Sequence, residues 1–169
     1  MTKRIPAIKT EYRGTVFRSK LEAKYARAFD ILGIAWTYED RNFMFDDGTC
    51  YAPDFYMPEI DTFFEVKGVI DSESEQKVKA LARLGNRVVI GNADGTMFAI
   101  DGSLEGFEPC SDQVDNGVMT SCVCGKHFFI GETGAFRCPS CGAWDGDSHL
   151  CSRHENVFDA AFGATNAVA

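Results

Sequence analysis

The sequence is short of positive charge, of long apolar runs and of paired cysteines, and each shortage excludes something. Seventeen Lys and Arg stand against 25 Asp and Glu, a formal net charge of −8. That balance is awkward for a nucleic-acid binder, because phosphate contacts normally supply most of the affinity. No apolar stretch approaches the ~20 residues of a membrane-spanning helix, and the opening Met1-Thr2-Lys3-Arg4-Ile5-Pro6 contains no apolar signal core. The expectation is a cytosolic protein with no membrane partner. There is no helix-turn-helix or other module that reads a defined base sequence. Nor is the cysteine count even: there are seven, five of them between Cys110 and Cys141. This pattern speaks against a disulfide framework and for metal.

What is present fits a soluble globular protein. At 169 residues, 45% hydrophobic and 25% charged, the chain has room for one ordinary domain and a small appendage. The scarce positive charge is concentrated: residues 1–27 hold eight Lys or Arg against Glu11 and Glu22 alone. A basic N-terminal face on an acidic body can still attract a polyanion.

Residues 1–14 show no period and read as an extended arm. Ser19 followed by Glu22 spells a capping box and opens a helix to about Leu32, with Leu21, Tyr25, Ala28, Phe29 and Leu32 on one face. Trp36–Phe45 and Thr49–Tyr56, joined by Asp46-Asp47-Gly48, read as a hairpin. Thr62–Lys67 is a third strand and Ser72–Leu84 a second helix; Arg87–Ile90 and Thr96–Ile100 are further strands. Helix, three antiparallel strands, helix, strand, strand predicts an α/β class with a mixed sheet, able to bury its core without the C-terminal part.

The third strand and the one before it carry acid where a packed sheet would take apolar residues. Alternation puts Glu65 and Lys67 on one face and Phe64 and Val66 on the other, while Asp54 lies among Tyr51, Phe55 and Tyr56. Two carboxylates on neighbouring strands suit a hard cation such as Mg²⁺, and the lysine suits a nucleophilic water or a charged phosphoryl group. The competing reading makes Asp54 a turn residue before Pro58, and Glu65 and Lys67 an edge-strand ion pair. Glu22 has two readings of equal weight: the cap of its helix, or a third carboxylate of the site.

Residues 101 to about 120 collect Gly, Pro, Ser, Asp and Asn and read as a linker. Cys122-Val123-Cys124-Gly125 and Cys138-Pro139-Ser140-Cys141-Gly142 then flank a hairpin turning at Gly131-Glu132-Thr133-Gly134. This is the pattern of a zinc ribbon with ligands Cys122, Cys124, Cys138 and Cys141, a structural site because four thiolates leave no open position. The single residue between Cys122 and Cys124 is unusual, so His127 and Cys110 stay open as substitutes for Cys122. His149, Cys151 and His154 are read as surface residues rather than a second ion site. Residues 155–169 form either a short docking helix or a frayed tail.

Taken together, Phe17-Arg18-Ser19-Lys20-Leu21-Glu22, Pro53-Asp54-Phe55 and Glu65-Val66-Lys67-Gly68 resemble the PD-(D/E)xK nuclease superfamily, in its small phage-type form. The resemblance covers about residues 12–100. It implies a restriction-endonuclease-like αβββαβ core and a metal-dependent DNA endonuclease, structure-selective on branched DNA or nicking. In it, Asp54, Glu65 and the Val66 carbonyl would bind Mg²⁺ or Mn²⁺, and Glu22 would complete the acidic cluster. Lys67 would orient or help deprotonate the attacking water, and hydrolysis would leave a 5′-phosphate and a 3′-hydroxyl. Arg13, Arg18 and Lys20 are the candidate phosphate contacts. A homodimer is also implied, and host cytoplasm if the chain is phage-encoded.

The domain division is then a nuclease-like domain over 1–108, a linker over 109–120, a ribbon over 121–154 and a tail over 155–169. The alternative from another class is a non-catalytic nucleic-acid-binding or assembly protein, with the ribbon engaging a protein partner.

Overall fold

From Thr10 on, the stretch without a visible period near the N-terminus belongs to a hairpin. In the computed structural model, which describes residues 7–101, 115–131, 138–143, 150–151 and 157–165, Thr10–Tyr12 (β1) pairs with Thr15–Phe17 (β2). Arg13 and Gly14 turn between them at φ 49° and 80°, the doubly left-handed geometry that matches the twist of two-residue hairpins. The expected extended arm over 1–14 is therefore corrected over residues 10–14.

Ser19 then caps Lys20–Ile31 (α1): its hydroxyl oxygen accepts from the Glu22 amide. The expected long hairpin is broken in two. Thr37–Tyr38 (β3) pairs with Phe55–Met57 (β6), whereas Phe43–Met44 (β4) and Cys50–Tyr51 (β5) form a separate two-stranded sheet. The break falls where Glu39 takes a left-handed φ of 48° and where Pro53 has no N–H for a ladder.

Thr62–Val66 (β7) lies antiparallel to β6 and parallel to Arg87–Gly91 (β8), with Ser72–Arg83 (α2) as the crossover that a parallel pair requires. Met97–Asp101 (β9) continues antiparallel. Alternation along these strands builds two cores. Phe63, Val88, Ile90 and Ile100 pack with Val78, Leu81 and Ala82 of α2; Phe64, Val66, Val89 and Met97 pack with Tyr25, Ala26 and Phe29 of α1.

Gly91 is required by close approach. A Cβ there would stand 2.5 Å from the Tyr25 ring and 2.6 Å from Phe64. Without it Tyr25 lies flush on the sheet and donates to the Asn92 carbonyl at 2.7 Å.

The C-terminal part does not stand apart. Asp115–Cys122 (β10) pairs with β9 through Asp115↔Ala99 to Gly117↔Met97, then with His127–Gly131 (β11) and Leu150–Cys151 (β12). Residues 115–120, expected in a linker, are thus strand; the rest of that linker, 109–114, lies outside the described residues. The main sheet runs β11-β10-β9-β8-β7-β6-β3. Although β11 is four strands from β7, the Phe129 and Phe64 rings lie 5.5 Å apart, so the twisted sheet curls over its own α1 face. Met119, Cys122, Phe128, Ile130 and Cys138 join the same buried cluster as Phe64 and Met57.

Val157–Ala164 (α3) is the docking helix of the two tail readings. Phe158 stacks on Tyr25 at 5.4 Å and Phe162 lies 4.8 Å from the same ring. Each buried Phe contributes about 1.5–3 kcal/mol, so the expectation that residues 1–100 complete their own core is corrected. No helix among the described residues is long and apolar enough to cross a membrane.

Candidate active site and metal centre

The β6–β7 register places Asp54, at the bend before β6, beside Glu65 in β7. Both are buried, at 2% and 3% exposure, and Glu22 on α1 is at 6%. Buried carboxylates are tolerated only when their oxygens are satisfied, and here they are satisfied in a graded way. One oxygen of each of the first two is held by inner groups of the fold. Asp54 Oδ2 accepts from the Val66 amide at 2.7 Å. Glu65 Oε2 accepts from the Tyr51 hydroxyl at 2.9 Å and the Asp54 amide at 3.3 Å. The other oxygens meet side-chain cations: Arg18 lies 2.6 Å from Asp54 Oδ1, and Lys67 lies 2.8 Å from Glu65 Oε1. The Arg18 guanidinium also reaches Glu39 at 2.8 Å.

Of its two readings, Glu22 shows the contacts of the capping one. Its carboxylate accepts from the Ser19 hydroxyl at 2.7 Å, from the Arg18 amide at 3.1 Å and from the Tyr38 hydroxyl. It also acts on the charge of Asp54, but at a remove, because those three donors hold it back.

Crowding shows in the protonation of these groups. Burial, then the neighbouring Glu65, pushes the Asp54 carboxyl up to about 7 against the pull of the Val66 amide and Arg18. Burial alone would lower the Lys67 ammonium, but Glu65 outweighs it and the net shift is upward. Lys67 is therefore held as a charged donor, suited to orienting water or stabilising negative charge and unsuited to taking a proton. Burial followed by Glu65 raises Tyr51, which stays a phenol and a donor.

The donor set is all oxygen. Four carboxylates (Glu22, Glu39, Asp54, Glu65) stand against two side-chain cations (Arg18, Lys67), a formal excess of two negative charges. That excess and those hard donors fit one divalent cation of the Mg²⁺ kind.

The second site is made of sulfur. Cys122 ends β10 and Cys138 opens a matching turn. Gly125 donates to the Cys122 carbonyl at 2.9 Å and Gly142 to the Cys138 carbonyl at 2.8 Å, both glycines at left-handed φ. The two turns bring the Sγ atoms of Cys122, Cys124, Cys138 and Cys141 within 4.8 Å of one another, all as free thiols. Among the described residues this is the one close cluster of three or more His, Cys, Asp or Glu ligands, and it can hold a metal ion such as zinc.

Burial pushes the Cys122 thiol up to about 12, while the Ala143 amide draws Cys141 down to about 7. His127 lies outside the cluster and bonds Ser121 at 2.9 Å, so Cys122 keeps the place that His127 was weighed for. Cys110, His149 and His154 lie outside the described residues, as does the side chain of Cys151.

The three basic candidates separate. Arg18 enters the acidic site. Lys20 is exposed on the first turn of α1. Arg13 pairs with Asp30 at 2.8 Å, eight residues along α1 from Glu22 and so about 12 Å away at 1.5 Å per residue; the fold does not bring it to the site.

Tyr38, Tyr51 and Glu39 are site residues that the sequence motifs missed. Tyr51 carried a signal, since it sits among the residues around Asp54, but nothing in the pattern showed that its hydroxyl reaches Glu65. No protein-family model matches the chain, and no characterised protein matches it in sequence.

Proposed function

We propose that the protein is a metal-dependent DNA endonuclease of PD-(D/E)xK type. The observation that carries this reading is the buried Asp54–Glu65 pair, with inner oxygens pinned by the fold and outer oxygens turned to Lys67 and Arg18. An ordinary edge ion pair would not sit at 2–3% exposure beside a second carboxylate. The order α1-β3-β6-β7-α2-β8 also agrees with the αβββαβ core of that superfamily.

Asp54, Glu65 and the Val66 carbonyl would hold Mg²⁺ or Mn²⁺, which supplies Lewis-acid polarisation of the scissile phosphate when bound. Tyr51 and the Val66 amide hold the two carboxylates in place. Lys67, kept charged by Glu65, orients the attacking water and faces the charge that builds on the phosphoryl oxygens. Glu22 adds negative potential behind Asp54. The cysteine cluster is a structural zinc ribbon, with no open coordination position and hence no catalytic part.

The test is cleavage of supercoiled plasmid, single-stranded DNA and a four-way junction in Mg²⁺ or Mn²⁺, beside Glu65→Ala and Lys67→Ala. Wild type should cut and both variants should lose about 10³-fold or more, the scale of removing a transition-state contact. The ranking of substrates chooses between branched-DNA and nicking activity. A folded wild type that neither cuts any of the three nor binds Mn²⁺ would favour a nuclease-like scaffold, which the net charge of −8 would suit.

A further inference from the structure

Arg18 is placed oddly for a phosphate contact. Its side chain is 57% exposed, yet its guanidinium lies 2.6 Å from Oδ1 of Asp54, the deepest carboxylate of the site. The backbone beneath it is fixed. Phe17 is fully buried, Ser19 caps α1, and the Arg18 amide donates to both Glu22 Oε2 and the Tyr38 oxygen. The guanidinium can thus change partner by side-chain rotation while the fold stays still. A partner is at hand. Glu39 already accepts from the same Nη2 at 2.8 Å, and its own amide is tied to the Asp54 carbonyl at 2.9 Å. Glu39 is held there at a left-handed φ of 48°.

We infer that Arg18 is a positioning residue that competes with the divalent cation for Asp54 and, once displaced, turns with Glu39 toward the substrate phosphate. The inference rests on the nuclease reading and goes beyond it by linking cation loading to substrate docking through one side chain. A cation and a guanidinium on the same carboxylate oxygen repel, so each weakens the other's hold. A displaced arginine remains next to the site, its planar fork suited to phosphate oxygens. Lys67, on Glu65 Oε1, has no comparable second carboxylate among the contacts described.

The test is a Mn²⁺ titration by calorimetry of the zinc-filled full chain, comparing wild type, Arg18→Gln, Arg18→Lys and Asp54→Asn. Duplex binding in Ca²⁺ at several salt concentrations completes it. Arg18→Gln should bind Mn²⁺ tighter by about three- to tenfold, since one positive charge near the ion is removed. Local damage would move affinity the other way. The same variant should bind duplex more weakly, with a salt slope shallower by about one unit, the signature of one lost phosphate contact. Arg18→Lys should return both quantities toward wild type.

Equal or weaker Mn²⁺ binding by Arg18→Gln, or an unchanged salt slope, would overturn the inference and leave the nuclease reading intact. If wild type takes up no Mn²⁺, or Asp54→Asn binds it equally well, the nuclease reading fails and this inference with it.

Discussion

The acidic centre and the cysteine centre solve the burial of polar groups in opposite ways. In the first, every carboxylate is compensated from within the protein: an amide, an alcohol, a phenol, a guanidinium or an ammonium meets each oxygen described above. In the second, the thiols have mainly one another, with sulfur–sulfur distances of 3.5 Å for Cys122–Cys141 and 3.8 Å for Cys124–Cys138. A centre with its own counter-ions holds its shape without a metal and can exchange one. A knot of thiols needs a metal to become a bond. On the proposed function, the contrast separates a cation used as a reagent from one used as a fastener, and it can be pressed from either side.

The largest effect should come from the fastener. Cys138 is buried in the cluster that also contains Phe64 and Met57, so Cys138→Ser should release the metal and unfold more than the ribbon. Hydrogen exchange should show α1 amides losing protection together with β10 and β11. If residues 7–101 kept wild-type protection while 115–131 opened, the two centres would be energetically separate and the shared core would be wrong.

Next is Phe158→Ala, which removes a ring stacked on Tyr25 of α1. It should cost about 3–5 kcal/mol in denaturant unfolding, as large-to-small core changes do. A loss limited to the fraying of α3, with the main transition unmoved, would show that the helix only rests on the core.

A third test uses the proton. Asp54 in the fold sits at about 7, above the 3.8 of an unperturbed aspartate, because burial and Glu65 disfavour its charge. Between those values the native state binds the extra proton, so the contribution of Asp54 to stability is full below about 4 and is lost as pH rises toward 7. Without added divalent cation, the melting temperature of wild type should therefore decline across that window relative to Asp54→Asn, and level off above it. Mn²⁺ affinity should rise over the same range as the proton is displaced. Parallel wild-type and Asp54→Asn curves would contradict the account of the acidic centre.

The smallest effect is expected from Tyr51→Phe. It deletes one donor to Glu65 and leaves the Asp54 amide in place, so it should cost about 1.5 kcal/mol of stability, the low end for a bond to a charged group. Cleavage, if the nuclease reading holds, should fall by a comparable factor of about ten.

Much of the framework is local and was therefore legible. Ser19 and Glu22 bracket a helix start because the capping interaction spans only three residues. Alternation through Phe63, Phe64, Glu65 and Val66 sorted the strand into its two faces for the same reason. The four cysteines were legible by spacing, and their closure into one cluster follows from two local turns.

What escaped depends on partners distant in the chain. The left-handed turn at Glu39 breaks a hairpin that the aromatic pattern alone would continue. The curl that brings Phe129 to Phe64 is a property of the whole sheet. Arg18 reads as a phosphate contact from its place in the motif, and only its ion pair with Asp54, 36 positions away, shows that it reaches the acidic centre.

The contact between α1 and α3 also has a temporal side. Phe158 follows Phe29 by more than a hundred positions, yet their rings meet at 5.8 Å. During synthesis α1 leaves the ribosome well before the helix that covers it, an interval on the order of ten seconds at cellular elongation rates. Until then the part of Tyr25 and Phe29 that α3 covers stays open to chaperones or to a wrong partner. The apolar face of α1 is thus fully covered only when synthesis has passed residue 162, a delay timer written into the topology.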